Sequence, residues 1–87
     1  MNMAVKTFAG WKGEIFDEYV QVGDVVDQEM IDYFMNSLPP VVYGPRLCQA
    51  GSVEDYVNGR ATYLTFEHTA EGWVYRGYCY RGETTAR

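Results

Sequence analysis

Eighty-seven residues with a formal charge of −5 make one domain, and a chain of that length buries only roughly 60 to 65 per cent of its surface, so its core is small. A composition that is 47 % hydrophobic and 16 % aromatic excludes a disordered chain, and eight tyrosines supply apolar bulk that tolerates water. Residues 1–45 carry seven acids against two lysines and residues 46–87 five acids against five arginines, a balance that disfavours nucleic-acid binding and suits a partner with a basic surface.

Residues 1–13 contain Gly10 and Gly13 around Trp11 and show neither helical nor strand periodicity, which predicts an N-terminal arm whose Phe8 and Trp11 dock on the body. "EIFDEYVQV" (14–22) alternates Ile15, Asp17, Tyr19 and Gln21 with Phe16, Glu18, Val20 and Val22, and reads as the first strand. The clearest helix follows. Asp27 is placed to cap it and Glu29 suits its positive end, while Met30, Ile31, Phe34, Met35 and Leu38 form one apolar stripe. Pro39 and Pro40 lack the N–H that a further turn requires, so the helix stops there. Such a stripe is most often the core-facing side of a helix on a sheet, although its two methionines also suit a face that repacks around a partner.

A second strand is predicted near Arg46 to Ala50, after a Gly44–Pro45 turn. "GSVEDYVNGR" reads as a loop with a turn at Asn58–Gly59. "RATYLTFE" and "WVYRGYCY" are the two best strands, joined by the hairpin loop "HTAEG". The expected fold class is α+β: a single antiparallel sheet of about four strands with one helix packed on one face. The expected organisation is an arm at 1–13 and a single domain at 14–87.

Pairing Glu67 with Trp73 across that loop sets Thr65 opposite Tyr75 and Tyr63 opposite Gly77. Phe66, Leu64 and Thr62 then lie beside Val74, Arg76 and Tyr78 on the face that receives the helix. The other face carries Tyr63, Trp73 and Tyr75, with Tyr63 covering Gly77. With one helix to cover two partly apolar faces, this aromatic face is left over.

"DYFMNSLPP" preceded by "DEYVQVGDVVDQEM", the later "GSVEDY" and the closing "YRGYC" occur in an order that resembles a small uncharacterised family of proteins carried on plasmids and other mobile elements of proteobacteria. The resemblance spans residues 14–80 and is anchored by Asp32–Tyr33 and Leu38–Pro39–Pro40. It implies a mobile-element origin and no established activity.

Catalytic chemistry finds little support. His68, the single histidine, falls in the hairpin loop, where a solvated turn residue is the plainer reading than a general base. Cys79 lies at the far end of the hairpin from it, and Cys48 reads as a buried structural thiol. Two cysteines 31 residues apart and one histidine make no zinc set, and "DVVDQEMID" lacks the glycine and terminal Glu of a calcium loop. No cofactor, metal site or enzymatic activity is expected. The chain has no apolar run of signal or membrane-spanning length, so it reads as cytoplasmic with reduced thiols and no membrane partner.

The favoured function is therefore protein–protein interaction, as a small acidic modulator of a host system. The alternative is a small-ligand binder in which Tyr63, Trp73 and Tyr75 stack on a planar ligand at a dimer interface while Arg60 or Arg76 holds an anion. In either reading a homodimer formed through the C-terminal hairpin covers the spare face. The other way to cover it is the N-terminal arm folding back.

Overall fold

The computed structural model describes residues 5–51 and 62–86. Of the expected loop at 51–60, Gly51 ends a strand and the rest, with Asn58–Gly59 and Arg60, lies outside them. The fold is α+β, with one sheet and two helices. In chain order the elements are β1 (Val5–Lys6), α1 (Phe16–Tyr19), β2 (Val25–Val26), α2 (Gln28–Ser37), β3 (Pro40–Tyr43), β4 (Leu47–Gly51), β5 (Thr62–Thr69) and β6 (Gly72–Tyr80). The six strands run in the order β1-β2-β6-β5-β4-β3. All neighbours are antiparallel except β1 and β2, so the sheet is mixed, with six strands where four antiparallel ones were expected.

Helix α2 forms as its sequence dictates. Asp27 Oδ1 accepts from the Met30 N–H at 3.0 Å and closes the first turn. The same oxygen accepts from the Phe8 N–H at 3.1 Å, so the cap also ties down the N-terminal segment. Met30, Ile31 and Phe34 are buried, with Met35 and Leu38 half-buried against the same core. The stripe is therefore a core face.

Residues 14–22 are not a strand. Phe16–Tyr19 make a single helical turn, and the chain becomes extended again at Val20. Phe16, Tyr19 and Val20 have the one, four, five spacing of a helix as well as taking part in an alternation, and so short a run fits both periods. Packing decides: the Phe16 ring meets Phe34, Phe66 and Tyr75 edge-on at centroid distances of 5.0, 6.3 and 5.1 Å. The segment before it is part of the body, since β1 pairs with β2 and the Trp11 ring lies 5.6 Å from Tyr33 and 6.1 Å from Phe34.

The β5–β6 hairpin exists, one residue out of the expected register. A two-residue turn at Ala70–Glu71 sets Thr69 opposite Gly72 and His68 opposite Trp73, which puts Glu67 opposite Val74. A one-residue slip moves every side chain to the other face. Trp73 and Tyr75 accordingly join Leu64 and Phe66 under the helices, while Val74 and Arg76 face the opposite side. Arg76 and Gly77 both lie across from Thr65, and this bulge restores Tyr78 to the helix side.

Opposite the helices, the fully buried residues of the second face include Gln49 and Thr65. The Gln49 amide nitrogen donates to Thr65 Oγ1, the Tyr80 carbonyl and the Glu83 carbonyl at 2.9, 3.1 and 3.2 Å, and its oxygen accepts from the Gly82 N–H at 2.7 Å. This one side chain fastens the turn at 80–83, in which Gly82 takes a φ of +84° and the Glu83 N–H returns to the Tyr80 carbonyl. From there the chain crosses the second face. An added Cβ on Gly77 would stand 2.9 Å from the Ala86 methyl and 3.1 Å from Val22, so the tail seats where only glycine leaves room.

Candidate functional site

The residues expected to share an aromatic face do not share one. Trp73 and Tyr75 are buried on the helix side, and Tyr63 is buried on the other side, opposite Cys79. Tyr63 does cover a glycine, but that glycine is Gly51 of the neighbouring strand, where a Cβ would fall within the space of the tyrosine ring. Arg76 offers no free guanidinium: its Nε and Nη2 donate to Glu67 Oε1 at 3.0 and 2.7 Å. The surplus aromatic surface invoked for a two-fold dimer is thus used inside the chain, with Phe8 and Trp11 packed on the same helix-side core.

One open region is the end of the sheet where the β3–β4 turn, the β5–β6 turn and the start of α2 converge. A groove of about 490 Å³ lies there, lined by Gln28, Tyr43, Gly44, Pro45, His68 and Trp73. The Trp73 ring is near-parallel to His68 at 4.6 Å and to Tyr43 at 6.3 Å, with interplanar angles of 20° and 21°. Trp73 is 6 % exposed and Tyr43 is 50 % exposed, so a fixed ring carries a displayed one. Two hydrogen bonds hold the floor: Trp73 Nε1 donates to Gln28 Oε1 at 3.1 Å, and Gln28 Nε2 donates to Asp32 Oδ1 at 3.1 Å. His68 Nδ1 lies 3.0 Å from the Pro45 carbonyl, an oxygen that can only accept, so this nitrogen carries the proton. The His68 N–H donates to the Arg46 carbonyl at 2.9 Å, which locks the two turns together.

Chemically the groove is an aromatic cradle beside an acidic helix. Among the described residues no cysteine or serine lines it, so none of them offers the imidazole a thiol or serine hydroxyl to activate there. Among the described residues no three His, Cys, Asp or Glu side chains converge to hold a metal ion. Cys48 and Cys79 are free and buried, and burial pushes the Cys48 thiol up from 9.0 to about 11, which makes it a poor thiolate. No helix among the described residues is long and apolar enough to cross a membrane. Of the groove residues, sequence reasoning singled out Trp73 and His68 and missed Tyr43 and Gln28. An aromatic residue directly before a Gly–Pro turn was the available signal for Tyr43. Compared with protein-family models, with curated proteins and with solved structures, the chain gives no match.

Proposed function

We propose that the protein acts by protein–protein interaction, as a small acidic module whose Tyr43–His68–Trp73 groove receives a side chain from a partner with a basic surface. The observation that carries this reading is the displayed Tyr43 ring stacked on a fixed Trp73 beside the acidic start of α2. Rigid Tyr and Trp side chains are the residues that dominate binding energy at protein interfaces, because they bring large area at little entropic cost. Exposed Glu29 and Asp32 follow Gln28 along the helix, and residues 1–45 carry a net −5, so a basic partner is steered to this side. If the chain has the mobile-element origin that its resemblance implies, that partner is a protein of the host.

The near-parallel rings also favour a second reading, in which a planar small molecule stacks in the groove, since about 490 Å³ is within the range of small-molecule sites. Affinity capture with the wild type and a Tyr43→Ala variant, analysed by native mass spectrometry, separates the two. A basic protein held by the wild type, released near 0.5 M salt (roughly three times physiological strength) and lost with Tyr43→Ala supports the first reading. A co-purifying small molecule lost with the same variant supports the second. Retention of one protein equally by both forms removes the groove from either.

A further inference from the structure

Strand β3 ends the sheet, and among the described residues no strand lies beyond it. Antiparallel pairs alternate between residues that exchange both backbone bonds and residues that exchange none, so two fixed bonds settle which β3 groups face outward. The Gly44 N–H donates to the Leu47 carbonyl at 2.9 Å, which makes Gly44–Leu47 a bonded pair and Tyr43–Cys48 the unbonded pair next to it. The far side of β4 agrees. The His68 N–H donates to the Arg46 carbonyl, so two residues further on Cys48 directs its N–H and C=O to Phe66. The Tyr43 N–H and C=O therefore point off the sheet, beside an exposed ring whose inner face lies on Trp73. The rest of the edge is blunted: Pro40 has no N–H, and the register shift between Pro40 and Val42 makes Val41 a bulge.

We infer that Tyr43 is the docking point for an extended segment of a partner polypeptide, and that the residue paired with it there is an arginine. That residue exchanges both backbone bonds with Tyr43, and a bonded antiparallel pair sets its two side chains side by side on one face of the sheet. The Tyr43 ring, backed by the near-parallel Trp73, offers this neighbour a flat, electron-rich surface. Such a surface suits the planar, weakly hydrated guanidinium better than the tetrahedral head of lysine. Glu29 and Asp32, the latter bonded to Gln28 of the groove floor, outnumber Arg46 of the turn and favour a cation there. A second copy of this chain fits poorly. Two-fold pairing about Tyr43 would set the bulged Val41 against Pro45, which has no N–H, and the ladder would stop at the Tyr43 pair. The charge of the segment rests on the basic-partner reading above, whereas its extended form rests on the β3 edge alone.

The test is amide exchange and NMR titration of the full chain with a capped Thr-Val-Arg-Val-Thr peptide, the same peptide methylated on the arginine backbone nitrogen, and its citrulline counterpart. Before any addition the Tyr43 amide should exchange with solvent much faster than the Val42 amide, which the same alternation bonds to Gln49. The arginine peptide should slow it saturably. Binding should weaken about tenfold with the methylated backbone, and severalfold with citrulline or in Tyr43→Leu, which keeps the backbone groups and loses the ring. Equal binding of the methylated peptide overturns the edge pairing, and equal binding of the citrulline peptide overturns the arginine. A Tyr43 amide already protected in the dilute protein, or still unprotected at millimolar peptide, overturns the site. Protection that grows with protein concentration alone assigns the edge to a second copy and overturns the partner segment. Shifts at His68 and Trp73 without protection at Tyr43 overturn the strand pairing while leaving the basic-partner reading standing; failure of that reading instead appears as a Tyr43→Ala variant that captures the same partner as the wild type.

Discussion

On the side of the sheet that receives α2, Phe16, Phe34, Phe66 and Tyr75 meet ring against ring at 5.0 to 6.3 Å. On the other side, fully buried Gln49 and Thr65 are polar, and what covers them is the chain's own C-terminal turn, held by three hydrogen bonds to the Gln49 amide. The first side is closed by non-directional burial of area and the second by directional bonds, and the two respond differently to substitution. Apolar packing tolerates shape changes of similar volume, whereas a buried amide network fails when any one partner is left unsatisfied.

The largest effect is expected on the aromatic side. Phe34→Ala removes a buried ring that touches Phe16, Phe66, Trp11 and Tyr33, and should destabilise by about 3 to 5 kcal/mol, enough to abolish cooperative melting in a domain of this size. A soluble variant with an unchanged melting temperature would contradict the packing described here. Next comes Gln49→Leu, which keeps the volume but strands the Gly82 N–H and removes the amide donor to the Tyr80 and Glu83 carbonyls, costing about 1 to 3 kcal/mol. Hydrogen exchange at the Gly82 amide should accelerate well beyond that of the β6 amides if the tail is released. Uniform acceleration would show that the two faces unfold as one unit.

An alkaline limb sharpens the comparison further. Burial raises the folded-state pKa of Cys48 from 9.0 to about 11, and that of Tyr75 rises in the same direction. A group whose folded pKa lies above its unfolded value holds its proton more tightly when folded. Its stabilisation is therefore complete below pH 9 and lost as pH climbs toward about 11. Urea midpoints should fall across that window and fall less steeply in Cys48→Ala; parallel slopes would mean that Cys48 takes no part. The smallest effect is expected at the groove, where Tyr43→Ala should shift stability by less than about 0.5 kcal/mol while removing partner capture.

How legible each side was in the sequence follows the same division. Asp27, the Met30-to-Leu38 stripe and the Pro39–Pro40 stop made α2 readable, because cap, period and terminator agree. The two hairpin strands were equally clear, yet "HTAEG" accommodates a five-residue loop or a two-residue turn. The choice between them decides whether Trp73 and Tyr75 lie in the core or outside it. Strands β1, β2 and β3 are two to four residues long, too short to show a period. Gln49 was unreadable for a different reason: a glutamine in a strand normally faces water, and its partners lie 31 to 34 residues away in a tail with no pattern of its own.

The claim that Tyr63, Trp73 and Tyr75 are covered within one chain, while Tyr43 and Tyr78 are displayed, is tested most directly by hydroxyl-radical footprinting of the dilute protein with residue-level mass spectrometry. Tyr43 and Tyr78 should oxidise readily, and Tyr63, Trp73 and Tyr75 should be protected at every protein concentration. Joint oxidation of Tyr63, Trp73 and Tyr75 at low concentration, with protection appearing only as the protein is concentrated, would contradict it and restore an aromatic face buried by self-association.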